Sequence, residues 1–245
     1  MLIYGDHRIS IIGNLGEMMI FFDIDKTLLI GSHCHFYSFK KAFKDIYGVD
    51  VTLNIHNIQG MTDKQIIYYF AKENNIHIHD FNDIRERIVY HYKKNLKREK
   101  IKPLDGAHEI LDTLEEMEIP TGIVTGNIED IAWLKLKKAK FDDHFSFGGF
   151  GDEGCKRSTI LQIALNKAKK IYNNINPKNS ILVGDTPRDM RAGKKVGTLT
   201  IGVATGDFTI ENLKKAGADH VLKSLKEREK FIKIIQKNMI SCEYS

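Results

Sequence analysis

Apolar residues recur with two different spacings along the chain, and the change of spacing divides it into segments. An apolar run at 18–23 ends in acidic residues and predicts a first strand. From about residue 32 to 102 the apolar positions recur every three or four residues, which predicts helices. After residue 103, short apolar runs alternate with helical stretches of about ten to fifteen residues. That alternation predicts strands connected by helices.

The helical stretch after the first strand is predicted to hold three helices. The first ends near Gly48, the second begins near Thr62 and Asp63, and the third spans 81–96. Their apolar stripes are Phe36, Phe39, Phe43 and Ile46; then Ile66, Ile67 and Phe70; then Ile84, Ile88, Tyr92 and Leu96. In the rest of the chain we predict strands at 18–23, 122–125, 144–150, 181–184 and 199–203, and helices at 106–117, 129–138, 158–171, from 187, at 210–216 and from about 225.

Strands that alternate with helices are joined by right-handed crossovers and form a parallel, doubly wound sheet. We therefore predict an α/β fold with a Rossmann-like core formed by residues 18–31 and 103–245. Residues 32–102 form an inserted all-helical domain, and residues 1–17 are an extension whose structure the pattern does not define. In such sheets ligands bind beyond the carboxyl ends of the strands.

Composition and charge narrow the class of partner. The chain has 245 residues and a formal net charge of +5, and its lysines are scattered rather than clustered. A nucleic-acid footprint is normally a clustered basic face, so we expect no nucleic-acid partner and favour an anionic small molecule. No apolar stretch approaches the roughly 18 residues that cross a bilayer, so we expect no membrane partner. The three cysteines lack paired spacing, and we expect a cytoplasmic monomer or homodimer.

Polar residues suited to phosphoryl transfer follow the predicted strands. They are Asp23 and Asp25 after the first strand, Thr125, Gly126 and Asn127 after the second, Lys156 and Arg157 before the helix at 158, and Asp185 and Asp189 after the fourth strand. On one rim of the sheet, the carboxylates would offer Mg²⁺ the oxygen ligands that it prefers. The hydroxyl, the glycine turn and the cations would position a phosphoryl group and neutralise its charge.

In order and spacing these residues resemble the motifs of the haloacid dehalogenase-like superfamily. The first motif is Asp23-Ile24-Asp25-Lys26-Thr27, the second is Thr125-Gly126-Asn127, and the fourth is Gly184-Asp185-Thr186-Pro187-Arg188-Asp189. The similarity spans nearly everything after Met18. The helical insertion matches the cap domain of this superfamily in position and size, and the chain looks like the phosphoglycolate phosphatase type.

The resemblance implies a Mg²⁺-dependent phosphatase that acts on a small phosphomonoester, with glycolate, sugar and nucleotide phosphates as candidates. It implies that Asp23 attacks phosphorus and forms an aspartyl-phosphate, while Asp25 protonates the leaving oxygen and then activates water. Asp185 would complete the Mg²⁺ site with Asp23 and the backbone carbonyl of Asp25. The phosphoryl oxygens would be held by Thr125, Gly126 and Asn127.

The third motif leaves two cations open. Phosphatases of this type often carry a lysine followed by proline, whereas this chain reads Cys155-Lys156-Arg157-Ser158. Lys156 matches the commoner chemistry, and Arg157 has the planar fork that suits a phosphate.

Three further residues have a secondary place in the predicted site. Asp189 reaches the metal through water, or orients the cation, or serves as a charge at a helix N-terminus. Lys26 stands where many members have glycine, so it either contacts the substrate or points to solvent. Thr62 belongs to a loop that faces the active site in such caps, or it caps its own helix.

Two other functions stay open at this point. One is a phosphomutase of the same superfamily, although Thr27 speaks mildly against it. The other is a retired enzyme scaffold that binds a phosphorylated ligand or regulates a partner. The run Gly149–Gly154 matches a dinucleotide fingerprint by pattern, but two acids stand where pyrophosphate would lie. His33 and His35 do not converge as metal ligands, although one of them could contact substrate.

Overall fold

In a computed structural model of the protein, the fold is described for residues 18–31, 33–52 and 58–242. The predicted extension at 1–17 lies outside the described residues. A six-stranded sheet occupies the centre, and all its strands are parallel. Its strands are β1 (Met19–Phe22), β4 (Thr121–Val124), β5 (Gly148–Gly149), β6 (Ser180–Gly184), β7 (Leu199–Val203) and β8 (His220–Leu222). Across the sheet they lie in the order β5-β4-β1-β6-β7-β8, so the first strand is central.

Helices connect the strands and cover both faces of the sheet. The helices are α1 (His33–Tyr47), α2 (Asp63–Glu73), α3 (Phe81–Asn95), α4 (Ala107–Glu116), α5 (Glu129–Ala139), α6 (Arg157–Ile171), α7 (Pro187–Val196), α8 (Ile210–Lys215) and α9 (Arg228–Cys242). Within the part of the chain that the structure describes, no helix combines the length and apolar character needed to span a bilayer. The predicted doubly wound α/β fold is confirmed.

Alternate residues of β1 face two different apolar cores, as the pleat of a strand requires. Ile20 and Phe22 belong to a cluster with helices α4 and α9, while Met19 and Phe21 belong to a second cluster with helix α6. Since both faces are covered, the strand is apolar at every position and fully buried. The first polar residue after it, Asp23, therefore marks the carboxyl edge of the sheet.

Helices α1, α2 and α3 form a separate layer with its own apolar core, which we call the cap. Phe39, Phe43, Phe70 and Tyr92 lie at its centre, and the same cluster continues into Ile131 of helix α5. Two short antiparallel strands, β2 (Leu29–Ile30) and β3 (Lys102–Pro103), join the cap to the sheet. The cap is therefore docked on the carboxyl edge, and its two connections to the core run side by side.

Two predicted boundaries were wrong, and one strand of the central sheet was missed. The strand predicted at 144–150 is only Gly148–Gly149, because a 3₁₀ turn occupies Asp142–His144. Close packing explains these glycines, since a Cβ on Gly149 would lie 2.2 Å from the carbonyl oxygen of Ile160. Strand β8 was missed, and the last helix begins at Arg228 rather than near 225.

Candidate active site

Asp23 lies directly after β1, at the centre of the carboxyl edge. Its backbone N–H donates to the carbonyl of Val183 in β6 at 2.9 Å, which continues the parallel ladder by one residue. The following turn is closed by a bond of 2.9 Å from the N–H of Leu28 to the carbonyl of Ile24. The strand and the turn together fix where the two acids of the first motif leave the sheet.

Three buried carboxylates surround one buried guanidinium at this edge. Oxygens of Asp23, Asp185 and Asp189 lie within 4.8 Å of one another. Arg157 places Nη1 3.2 Å from Oδ1 of Asp23 and Nε 2.9 Å from Oδ1 of Asp189. All four side chains are buried. This acidic cluster therefore holds more negative than positive charge.

Burial, together with repulsion between carboxylates, raises the pKa of Asp23 and of Asp185. Burial raises the pKa of Asp23 to about 8, and the nearby charges of Asp189 and Asp25 add to the effect against the opposing charge of Arg157. Burial also raises the pKa of Asp185 well above its usual range, with Asp23 and Asp189 adding to it.

The donor set of the acidic cluster fits a hard divalent cation. Oδ2 of Asp185 is buried and has no hydrogen-bond partner among the described residues. A buried carboxylate oxygen without a partner is costly, and a cation that takes oxygen ligands removes that cost. Asp23 and Asp185 are thus placed to hold Mg²⁺, while Asp189 uses one oxygen for Arg157 and the other for the backbone N–H and hydroxyl of Thr186. Asp189 therefore caps helix α7 and orients the arginine at once.

The second-motif turn lies between β4 and α5, beside the acidic cluster. Thr125 and Asn127 are buried, and the amide of Asn127 donates to the Thr125 hydroxyl at 2.6 Å. Gly126 is needed because a Cβ there would lie 2.6 Å from the carbonyl oxygen of Met61 in the cap. The backbone N–H of Asp63 donates to the Gly126 carbonyl at 2.7 Å. The cap thus rests directly on this turn.

The glycine run at 149–154 supports the same turn from below. A Cβ on Gly151 would lie 1.7 Å from the carbonyl oxygen of Gly126, and the Gly151 N–H donates to the Asn127 carbonyl at 2.6 Å. These glycines allow two backbone segments to approach each other closely. Their packing accounts for the pattern that resembles a dinucleotide fingerprint.

Asp25 points away from the acidic cluster into a balanced environment. Nζ of Lys135 lies 2.8 and 2.7 Å from its two carboxylate oxygens, and the amide of Asn127 donates to Oδ2 at 2.7 Å. Burial alone would raise the pKa of Asp25, but the charge and hydrogen bond of Lys135 and the bond from Asn127 outweigh it and lower the pKa to about 2. The two acids of one motif therefore have opposite electrostatic surroundings.

Sequence reasoning missed Lys135, although a signal for it exists. The residue is fully buried on helix α5, on the stripe that also carries Ile131, Ala132, Leu136 and Ala139. A lysine on the apolar stripe of a helix is unusual, because a buried ammonium needs compensating acceptors.

The two third-motif cations differ sharply in position. Arg157 is the first residue of helix α6, is buried and contacts Asp23. Lys156 is exposed, and no contact of its side chain with the acidic cluster is found among the described residues. The geometry thus brings Arg157, and not Lys156, to the first motif.

The remaining secondary residues lie around the mouth of the site. Lys26 has a left-handed backbone, and its Nζ lies 2.6 Å from Oδ2 of Asp207. Both side chains are largely exposed, so this lysine stays at the rim. Thr62 is buried and caps helix α2 by accepting from the N–H of Gln65 at 3.1 Å.

A partly open cavity of about 160 Å³ lies between the cap and the carboxyl edge. Its floor is formed by the first and second motifs together with Arg157 and Asp185. Its cap side is lined mainly by apolar side chains and one histidine: His35, Phe36, Ile58, Met61 and Ile66. The side chain of His33 lies outside the described residues.

The chain matches a family model described as haloacid dehalogenase-like hydrolase over residues 20–203. It is 28% identical over 127 residues to a phosphoglycolate phosphatase of Agrobacterium fabrum, an overlap that covers 52% of this chain and 53% of that protein. It is 23% identical over 210 residues to the pyrophosphatase PpaX of Listeria monocytogenes, covering 85% and 93%. Among solved structures, a β-phosphoglucomutase of Clostridium difficile superposes with a TM-score of 0.69 at 18% identity, covering 94% of this chain and 99% of that one.

Proposed function

The chain belongs to the haloacid dehalogenase-like hydrolases, as the motif resemblance predicted, and from that premise we propose that it is a Mg²⁺-dependent phosphatase acting on a small phosphomonoester. The acidic cluster at the floor of the cavity supports this most strongly. Three carboxylates against one guanidinium favour a site that binds a cation and an oxyanion together. A bound phosphate ester would supply the oxyanion, and Mg²⁺ would supply the cation.

Asp23 is the nucleophile in this proposal. Its carboxylate attacks phosphorus, the bond to the ester oxygen breaks, and an aspartyl-phosphate forms. Arg157 lies 3.2 Å from Asp23 and supplies positive charge beside the equatorial oxygens, which carry the negative charge of the phosphoryl group. Asp23, Asp185 and the backbone carbonyl of Asp25 would hold Mg²⁺, which would further neutralise the phosphoryl charge.

Asp25 moves the proton. Its pKa of about 2 leaves Asp25 ionised at neutral pH, so in the first step it relays a proton of the monoanionic ester to the departing oxygen. In the second step it takes a proton from the water that hydrolyses the aspartyl-phosphate and passes it to the released phosphate, so the enzyme returns to its starting state. The cap over the cavity limits the water that can reach the intermediate before the alcohol has left.

The hydroxyl of Thr125 and the backbone N–H groups of Gly126 and Asn127 hold the transferred phosphoryl oxygens. Thr125 is fully buried and already accepts from Asn127, so its position is fixed before substrate binds. Groups fixed in advance stabilise a transition state without reorganising during the reaction.

The dimensions of the cavity favour a small leaving group. Its volume of about 160 Å³ is below the roughly 300–1,000 Å³ of pockets that hold drug-sized ligands. Relatives named as phosphoglycolate phosphatase and pyrophosphatase act on compact phosphates by their names. We place phosphorylated short-chain acids and sugars first, and larger nucleotides last.

The test is phosphate release from a broad panel of phosphomonoesters with Mg²⁺, with wild type beside Asp23→Asn. We expect release from a few compact esters and a loss of at least about 1,000-fold in the variant, since it lacks the nucleophile. The variant should stay folded, because it removes one of three crowded carboxylates. Activity retained by Asp23→Asn would refute the covalent mechanism. A folded wild type that releases no phosphate would favour a phosphomutase or a binding protein instead.

A further inference from the structure

Lys135 is a fully buried lysine that the phosphatase mechanism does not use. An ammonium group has three N–H donors and no acceptor. Here three acceptor groups surround Nζ: the Asp25 carboxylate at 2.7 Å, Oδ1 of Asn127 at 2.8 Å and Nδ1 of His35 at 3.4 Å. Both oxygens of Asp25 lie within 2.8 Å of Nζ, so the ammonium is fully supplied with acceptors.

Two of these acceptors belong to the core and one belongs to the cap. Asp25 and Asn127 follow strands β1 and β4, whereas His35 lies on helix α1. Because the ammonium can only donate, Nδ1 of His35 accepts, and its Nε2 carries the hydrogen. Nε2 then donates to Oδ2 of Asp63 at 2.9 Å, on helix α2 of the cap.

Asp63 returns the chain of bonds to the core. Its Oδ2 also accepts from the backbone N–H of Ile128 at 2.7 Å, at the start of the helix that carries Lys135. The cap thus contacts both the N-terminus of helix α5 and the ammonium of Lys135, about two turns further along the helix. Every member of this set is nearly or fully buried except Asp25, which faces the cavity.

We propose that Lys135 is a positioning residue that fixes the carboxylate of Asp25 for proton transfer. Through His35 and Asp63, this positioning depends on docking of the cap. The inference rests on the proposed phosphatase function and deepens it. No bond to Lys135 forms or breaks, and its role is to hold both oxygens of Asp25 in one orientation. When the cap lifts, the ammonium loses its third acceptor and the helix loses its capping carboxylate.

This arrangement makes proton transfer by Asp25 depend on closure of the cap. An acid-base group that is correctly aimed only under a docked cap acts when the leaving group is enclosed and is less effective when bulk water has access. Lids in other enzymes complete a catalytic constellation in the same general way. Here the link would be a single buried ammonium shared between the two layers.

The test is a double-mutant cycle on the best substrate of the panel, with wild type, Lys135→Met, Asp25→Asn and the double variant. We expect Lys135→Met to lower kcat by about 10- to 100-fold, within the range that proton transfer by a positioned group contributes. KM and inhibition by inorganic phosphate should change less than about threefold, because the acidic cluster is untouched. The matched control is Lys137→Met, an exposed lysine on the same helix, which should behave as wild type.

The cycle separates positioning from a structural role. If Lys135 acts through Asp25, its replacement in the Asp25→Asn background should cost no further activity, since contacting residues that act together are non-additive. Additive losses would overturn the inference, and so would a kcat of Lys135→Met equal to that of wild type. A wild type without any turnover would instead overturn the proposed function, and this inference with it.

Asp63→Asn tests the same link from the cap and serves where Lys135→Met does not fold. It keeps the shape of the side chain but removes its charge and half of its acceptor capacity. We expect kcat to fall about three- to tenfold, with no further fall when it is combined with Asp25→Asn. An unchanged kcat, or a fall that adds fully to that of Asp25→Asn, would overturn the role of the cap.

Discussion

The two acids of the first motif lie two residues apart, yet their surroundings shift their pKa values in opposite directions. Asp23 shares the acidic cluster with Asp185 and Asp189, and Arg157 is the cation that contacts it among the described residues. Asp25 faces Lys135 and a donating amide, and the carboxylate beyond them, Asp63, also has its donors. The acidic cluster around Asp23 has too little positive charge, whereas the charged groups around Asp25 have hydrogen-bond partners.

The difference indicates which region is built to receive ligands. A buried group with excess negative charge and an oxygen without a partner becomes stable when a cation joins it. A region whose donors and acceptors are already matched gains little from a ligand and serves to hold a side chain in place. We therefore assign binding and bond making to the Asp23 side, and orientation of the proton carrier to the Asp25 side.

Removal of metal should have the largest effect on this contrast. Chelation should reduce phosphate release to background, and Mg²⁺ should restore it, because the excess negative charge of the acidic cluster would otherwise repel a phosphate. Thermal unfolding should show Mg²⁺ raising Tm for wild type. In Asp23→Asn the rise in Tm with Mg²⁺ should be smaller, because the asparagine side chain is neutral. Hydrolysis that survives chelation would contradict the metal site.

The same measurement has a pH dependence with a definite sign. The pKa of Asp23 is raised to about 8 in the metal-free fold, so the folded state binds this proton more tightly than the unfolded chain. Its contribution to stability is present below the ordinary pKa of about 4 and is lost as pH rises towards 8. Mg²⁺ must displace the proton, so a fixed low concentration should raise Tm more at pH 8 than at pH 6. A rise that does not depend on pH would show that these carboxylates are already ionised.

The next largest effect should come from the arginine that joins two carboxylates. Arg157→Met should lower kcat/KM by about 100-fold or more, as the loss of one fixed charge-stabilising group does elsewhere. Arg157→Lys should recover only part of this, because one ammonium cannot reproduce the fork that reaches Asp23 and Asp189 together. Lys156→Met is the matched control and should stay within about twofold of wild type. Equal losses at both positions would reject the assignment of Arg157.

Much of the fold was readable from the chain because its signals are local. The apolar run before Asp23 and the alternation of strands and helices predicted the parallel sheet, since a strand covered on both faces must be apolar at each position. The pairs β2 with β3 and β7 with β8 were not predicted. Each contains a strand of two or three residues whose existence depends on a distant partner rather than on its own pattern.

The residue that sequence reasoning missed, Lys135, and the choice that it left open, Lys156 or Arg157, share one physical cause. Lys135 and Arg157 lie on the apolar stripes of their helices, the latter in register with Ile160, Leu161 and Ala164. A pattern that counts apolar positions passes over a cation there. Read instead as a cation that needs buried acceptors, each would have indicated a carboxylate across the interface. Which carboxylate it meets depends on how the strands and helices of the core pack together, and local spacing does not contain that information.

The smallest effect we predict concerns how firmly the cap is held. Arg85 of helix α3 places Nε 2.6 Å from Asp152 and Nη2 2.6 Å from Asp130, so it bridges the cap to two acids of the core. The side chains are partly exposed, and solvent screening limits their contribution to about 1 kcal/mol. Arg85→Met should therefore shift the closing equilibrium by about fivefold towards the open cap.

This shift should appear in kinetics as a KM about fivefold higher, and in limited proteolysis as faster cleavage of the cap. Arg87→Met is the control, because Arg87 approaches Asp45 within the cap and does not reach the core in the structure described. If docking also sets the orientation of Asp25, Arg85→Met should lower kcat as well. In the Lys135→Met background, Arg85→Met should then lower kcat no further but should still raise KM. A change in KM alone in the single variant would mean that closure retains the substrate without controlling proton transfer.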